Sequence, residues 1–211
     1  MNRELALEIY EELNKIHPDA QVQLDHETPY QLLVATILSA QCTDVRVNII
    51  TKDLFKAYPG PQEMVQLSQE GLEELIHSCG FYRNKAKNIL ATTRILLEDY
   101  GGEVPQTIEE LVKLPGVGKK TANVVASVAF GLPAIAVDTH VFRVSNRLGL
   151  AQAKTVEKTE DQLQELFPPS TWSHLHHLLI FQGRKICLAR KPKCEICSLK
   201  SFCKYYQQTR R

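Results

Sequence analysis

Leu114-Pro115-Gly116-Val117-Gly118-Lys119-Lys120-Thr121-Ala122 decides the reading of this chain. Two glycines and two lysines stand at the mouth of a helical segment. Glycine reaches backbone angles closed to other residues and, without a side chain, lets a ligand approach the main chain. The following helix opens with unpaired N–H groups and the positive end of its dipole. The turn is therefore suited to an anion, above all a phosphate. Upstream, Thr107-Ile108-Glu109-Glu110 has the form of a capping box and predicts the start of a preceding helix. The unit over about 107–130 is then helix, Gly-rich hairpin, helix.

Helical spacing runs through almost all of the remaining chain. Leu5, Ile9, Leu13 and Ile16 repeat on one helical face. Thr28-Pro29 caps and opens a helix over Tyr30–Ala40. Further helices are predicted over Asp44–Ala57, from Ser68 to a stop at Gly80, and over Asn84–Tyr100, Thr121–Phe130, Asp138–Leu148, Val156–Phe167 and Ser170–Ile186. Only Ala134–Val137 reads as extended. The pattern predicts an all-α protein, and no Pro/Gly-rich linker divides it.

The 211 residues are 44% hydrophobic, enough for a real core, and no apolar run reaches membrane-spanning length. The opening Met1-Asn2-Arg3-Glu4 lacks the apolar block of a secretory signal. These features predict a cytoplasmic protein without signal peptide or transmembrane segment. Net charge is only +1, yet from Gly183 onward nine Lys or Arg face one acidic residue, Glu195. Such a run is either a solvated surface or a phosphate-facing patch.

Cys187, Cys194, Cys197 and Cys203 are separated by six, two and five residues. Without a secretion signal, disulfides are a poor reading. Four thiolates in one short loop suit either zinc or an iron–sulfur cluster. Cys42 and Cys79 stand apart in apolar surroundings and read as buried small hydrophobes. Asp138, ahead of a helix, is an N-cap candidate. His174, His176 and His177 beside Trp172 read as packing residues, because no further ligand is evident.

The hairpin, Val137-Asp138-Thr139-His140-Val141, the four-cysteine spacing, Leu38-Ser39-Ala40-Gln41 and Gly80-Phe81-Tyr82 together resemble the helix-hairpin-helix DNA glycosylase superfamily, on its endonuclease III branch. The resemblance covers nearly the whole chain. It implies a two-lobed helix-hairpin-helix glycosylase fold with a C-terminal [4Fe–4S] cluster loop. One continuous domain would span 22–132. A discontinuous one, 1–21 plus 133–211, would carry the cluster at 187–203, with a cleft between the lobes.

By the same resemblance Lys120 is the catalytic lysine, expected to be partly buried, and Asp138 the catalytic carboxylate. Cys187, Cys194, Cys197 and Cys203 are the cluster ligands. Gly116, Gly118, Lys119, Lys191 and Lys193 contact DNA. Gln41 and Phe81 fill the gap left by a rotated base, although a helix-terminal polar residue and a core aromatic are the plainer readings. Phe81 also departs from the leucine often found there. Asp44 and His140 are pocket candidates that capping and packing explain equally well. The implied activity is excision of oxidised pyrimidines through a lysine Schiff base, followed by β-elimination. The partner is double-stranded DNA bearing a damaged base or abasic site, and the protein is expected to be a nucleoid-associated monomer of bacterial type. The alternatives are a monofunctional mismatch glycosylase and a non-enzymatic DNA-binding module.

Overall fold

The structure, a computed structural model, describes residues 1–209. In chain order its helices are α1 (Arg3–Ile16), α2 (Pro29–Ser39), α3 (Asp44–Ala57), α4 (Pro61–Met64), α5 (Gln69–Ile76), α6 (Tyr82–Asp99), α7 (Ile108–Leu111), α8 (Lys119–Phe130), α9 (Thr139–Leu148), α10 (Val156–Leu166), α11 (Trp172–Lys185) and α12 (Lys204–Thr209). There is no strand among the described residues. Residues 134–137 are buried but non-helical and pair with no strand. The chain divides into two compact units, one of Met1–Val22 with Leu132–Arg211, the other of Gln23–Gly131.

In the continuous unit α2 is the central element. Tyr30 through Leu38 are all buried, so the helix is covered on every side, as a nearly uninterrupted apolar run requires. Helices α3, α6 and α8 pack against it. Thr28 caps its start by accepting from the Gln31 amide. At its other end the Lys85 ammonium donates to the carbonyls of Leu38 and Ala40, at 2.8 and 2.6 Å. A cation at a helix C-terminus meets both the dipole and the carbonyls that lack intrahelical partners.

Two local readings change. The segment capped by Ser68 ends at Ile76, not Gly80. A turn from the Cys79 amide to the Ile76 carbonyl closes it, and Phe81 takes left-handed angles (φ 58°) before α6 begins. At Thr107 half of the capping box forms. The hydroxyl accepts from the Glu110 amide, but the Glu110 carboxylate takes the Thr107 hydroxyl rather than its backbone N–H.

In the discontinuous unit α9 and α11 pair, joined by α1, α10 and α12. Ile9, Leu13, Val141, Val144, Phe167 and Leu178 belong to one buried cluster. Leu199, from the loop that carries the four cysteines, is fully buried in it. Packing accounts for the three histidines. His174 accepts from or donates to the Tyr10 hydroxyl at 3.2 Å, and the His176 and His177 rings lie 3.9 Å apart. Among the described residues no helix is long and apolar enough to cross a membrane.

Burial, with lesser contributions from His174 and Arg184, lowers the His177 imidazole to about 4. Between pH 6.5 and about 4 the unfolded chain therefore binds a proton there that the folded chain refuses, and stability falls as pH falls through that window. Urea unfolding at pH 7 and pH 4.5 should show this loss, and His177→Gln should make it smaller.

Candidate nucleic-acid site and cluster loop

In the continuous unit the hairpin is fixed from inside. Leu114 and Val117 are buried, and the Thr92 hydroxyl on α6 donates to the Pro115 carbonyl at 2.9 Å. The two glycines do different jobs. Gly116 has φ 77°, and a Cβ there would lie 2.9 Å from the Asn88 Cβ, so the fold requires it. Gly118 has ordinary extended angles, and a Cβ would meet nothing within 4 Å. Nothing internal needs a glycine at 118. Its bareness leaves the start of α8 open to whatever approaches from outside.

Gly118 is also the N-cap of α8, so no side chain caps the first amides of that helix. Lys119 and Lys120 are the first two helical residues, and both are exposed. The expected partial burial of Lys120 is not met. The apolar face of α8 starts at Ala122 and continues through Val125 and Ala126, which leaves the first turn projecting beyond the core.

Gln41 and Phe81 occupy the turns before α3 and α6, and both have positive φ, 53° and 58°. Left-handed angles on a side chain of this size store strain and are characteristic of functional turns. Phe81 is 63% exposed, which removes the core-aromatic reading. Gln41 is exposed as well. The turns are neighbours: a Cβ on Gly80 would sit 3.4 Å from the Gln41 carbonyl oxygen. Asp44 is the first residue of α3, and Thr43 supplies the cap by accepting from the Arg46 amide.

In the discontinuous unit Asp138 is the N-cap of α9. One oxygen, Oδ1, accepts from the His140 and Val141 amides, both at 2.8 Å. These two hydrogen bonds fix the carboxylate and leave Oδ2 for other work. The His140 ring points into α11. Its Nδ1 lies 3.1 Å from Arg143 Nη2. Burial lowers this imidazole, and Asp138 opposes that shift. Gly183 makes the approach, since a Cβ there would lie 2.9 Å from His140.

The four thiols line one recess, walled by Val144, Leu148, Ile186 and Pro192. Among the described residues no group of Cys, His, Asp or Glu is placed to hold a single metal ion. A zinc ion would draw all four sulfurs to about 2.3 Å from one point. Four thiolates around one common recess are a donor set that suits a four-iron cluster.

The loop itself is two short 3-10 turns, Cys194–Ile196 and Ser198–Ser201, too brief to hold a shape unaided. Two arginines one turn apart on α9 hold it, and sequence reasoning missed both. Arg143 donates to the carbonyls of Cys187 and Gly183 at 3.1 and 3.0 Å. Arg147 donates to those of Leu188 and Ala189 at 2.7 and 3.0 Å, and to the Cys187 sulfur at 3.4 Å. Its guanidinium also lies 4.7 Å from the centre of the Tyr205 ring. Gln182 donates to the Cys197 sulfur at 3.3 Å while its oxygen accepts from His17 at 2.8 Å. The available signal was Arg at i and i+4 on the helix following Asp138. Lys191 and Lys193 are exposed on this loop, and Lys191 has φ 50° just before a proline. Arg210 and Arg211 of the basic tail lie outside the described residues.

Residues 34–169 match the model of the HhH-GPD superfamily base excision DNA repair proteins, and residues 187–203 that of the iron-sulfur binding domain of endonuclease III. The chain is 51% identical to the endonuclease III of Bacillus subtilis over 199 residues, 94% of this chain and 91% of the relative. It is 45% identical to that of Escherichia coli K12 over 208 residues, 99% of each. Among solved structures, a trapped endonuclease III–DNA covalent intermediate matches at TM-score 0.94 and 47% identity, with both chains fully covered. A thermostable thymine-DNA glycosylase matches at TM-score 0.77 and 29% identity, over 86% of this chain and 85% of that one.

The two hairpin glycines should separate in experiment. Gly116→Ala should cost roughly 1–3 kcal/mol in urea unfolding through strained angles and the Asn88 contact. Gly118→Ala should cost about 1 kcal/mol or less, yet weaken binding to a fluorescent DNA duplex. On the cluster loop, Arg147→Ala should release iron faster under a ferrous chelator, read as decay of the absorbance band near 400 nm, while Lys200→Ala should not.

Proposed function

Because the chain belongs to the endonuclease III family of helix-hairpin-helix base-excision DNA repair proteins, we propose that Lys120 and Asp138 carry its chemistry on an oxidised pyrimidine nucleotide. The protein is a bifunctional DNA glycosylase and abasic-site lyase. What most supports the residue assignment is a lysine in the first turn of α8, exposed just past a turn whose amides no side chain caps.

The open amides of α8 and the Lys119 side chain bind a DNA phosphate, and Lys191 and Lys193 bind others. The damaged nucleotide rotates out of the duplex, and Gln41 and Phe81 enter the space it leaves, which offsets part of the unstacking cost. Gln41 offers a carboxamide to the unpaired base, and Phe81 offers an aromatic face.

Lys120 attacks C1′ through its neutral amine. The C1′–N bond to the base breaks, the base leaves with a proton, and the sugar opens to a Schiff base on Lys120. The iminium draws electrons from C2′, the C2′ proton is lost, and the C3′–O bond breaks to release the 3′ phosphate. Asp138, its direction set by two amides, stabilises positive charge at the sugar and relays protons to and from the amine. In the free protein Lys120 is exposed, so its amine is open to an incoming nucleotide.

The cofactor is a [4Fe–4S] cluster. Cys187, Cys194, Cys197 and Cys203 hold it, and when bound it supplies a rigid frame for the loop that presents Lys191 and Lys193. The protein works on the bacterial chromosome, in the cytoplasm.

Borohydride added to the protein with a duplex containing an abasic site should yield a covalent adduct. Lys120→Gln should give none, with helical content and the 400 nm band unchanged. Asp138→Asn should slow adduct formation by about 10²–10⁴-fold. An adduct that persists in Lys120→Gln would remove the assignment, and its absence in the wild type would favour a monofunctional glycosylase or a binding module.

A further inference from the structure

Lys85 touches both of the turns that carry Gln41 and Phe81. Its backbone amide donates to the Phe81 carbonyl at 3.1 Å, in the first turn of α6. Its side chain crosses to the other turn and donates to the Leu38 and Ala40 carbonyls at 2.8 and 2.6 Å. The third donor of the ammonium faces the Cys79 sulfur at 3.5 Å, and the Cys79 thiol itself donates to the Leu38 carbonyl at 3.2 Å. All three ammonium donors are thus engaged, in a residue that is buried.

Capping of α2 explains the Leu38 bond but not the Ala40 bond. Ala40 lies past Ser39, the last residue of that helix. Its carbonyl belongs to the planar peptide unit that leads into Gln41. Holding that oxygen sets the plane from which Gln41 enters its left-handed conformation. Further along α6 the Thr92 hydroxyl holds the hairpin through the Pro115 carbonyl. One rigid helix therefore carries Phe81 at its start, fixes Gln41 from its first turn, and holds the hairpin about two turns later.

We propose that Lys85 is a positioning residue for base extrusion. It fixes the separation between Gln41 and Phe81, so that both side chains enter the duplex together once the hairpin is seated on a phosphate. The proposal rests on the insertion roles given above to Gln41 and Phe81. Lys85 lies behind the two turns and acts only through them. Without its bonds each turn can relax from its left-handed angles, and a displacement of about 1 Å at an inserting group costs up to about 10²-fold in rate. The chemistry at a sugar that is already unpaired does not depend on that separation.

The test uses the cluster-loaded protein and two substrates, an abasic site in a duplex and the same site in a single strand, where no hole needs filling. Lys85→Met removes every donor. Lys85→Gln keeps an amide on a side chain one bond shorter, and supplies a folded variant where the first fails to fold. Helical content and the 400 nm band establish the fold of each. Borohydride trapping on the duplex should slow by up to about 10²-fold in the folded variants, while trapping on the single strand stays at the wild-type rate. With 2-aminopurine opposite an uncleavable abasic analogue, the emission change at saturating protein should fall to the level of Gln41→Ala. Added to Gln41→Ala, Lys85→Gln should slow duplex trapping no further. Equal losses on the two substrates, or losses that add to that of Gln41→Ala, would make Lys85 merely structural and overturn the proposal. Wild-type rates in the folded Lys85 variants would overturn it as well. Should Gln41→Ala and Phe81→Ala themselves behave as wild type, the insertion roles fail and the proposal falls with them.

Discussion

A buried ammonium at the end of α2 fixes much of what surrounds it. Lys85 is 5% exposed, and its partners are the Leu38 and Ala40 carbonyls and the Cys79 sulfur. An ammonium taken from water needs compensation of this kind, and a helix end with orphan carbonyls provides it. The arrangement is reciprocal. The Ser39 hydroxyl of α2 takes only the Thr36 carbonyl, and α6 supplies the donor for Leu38 and Ala40 from across the unit. Both strained turns are thereby referred to one rigid point, and their left-handed angles persist because the surroundings over-determine them.

The discontinuous unit solves a similar problem with guanidinium groups. A loop made of two 3-10 turns presents carbonyls that its own amides cannot satisfy. Arg143 and Arg147 reach it from α9 with several donors each, which a flexible single-point donor such as lysine would do less well. The helix that carries these arginines is the one Asp138 caps. The carboxylate's direction and the loop's shape therefore share one rigid element, without any contact between them being needed.

Much of this was legible beforehand. Helix positions followed from spacing and caps, because Thr28, Thr43, Ser68 and Thr155 each make the local bond that their residue type suggests. The hairpin was legible because glycine has few uses. Its division of labour was not, since it depends on Asn88, nearly thirty residues away. Arg143, Arg147, Gln182 and Lys85 were invisible for the same reason: each acts through contacts made across the tertiary fold, and a lone basic or amide residue on a helix looks the same whether it faces solvent or a distant carbonyl. The exposure of Phe81 was hidden too, because an aromatic after glycine resembles any core residue until its backbone angles are known.

Leu199 carries a last implication. It sits between two of the cysteines and is wholly enclosed by the nucleus of its unit. A loop without its inorganic centre therefore cannot come loose alone; it withdraws an apolar plug from the body of the fold. Affinity for iron and sulfide is then part of this unit's conformational free energy, and scarcity of either would reduce the amount of correctly folded repair protein before it touched any chemical step.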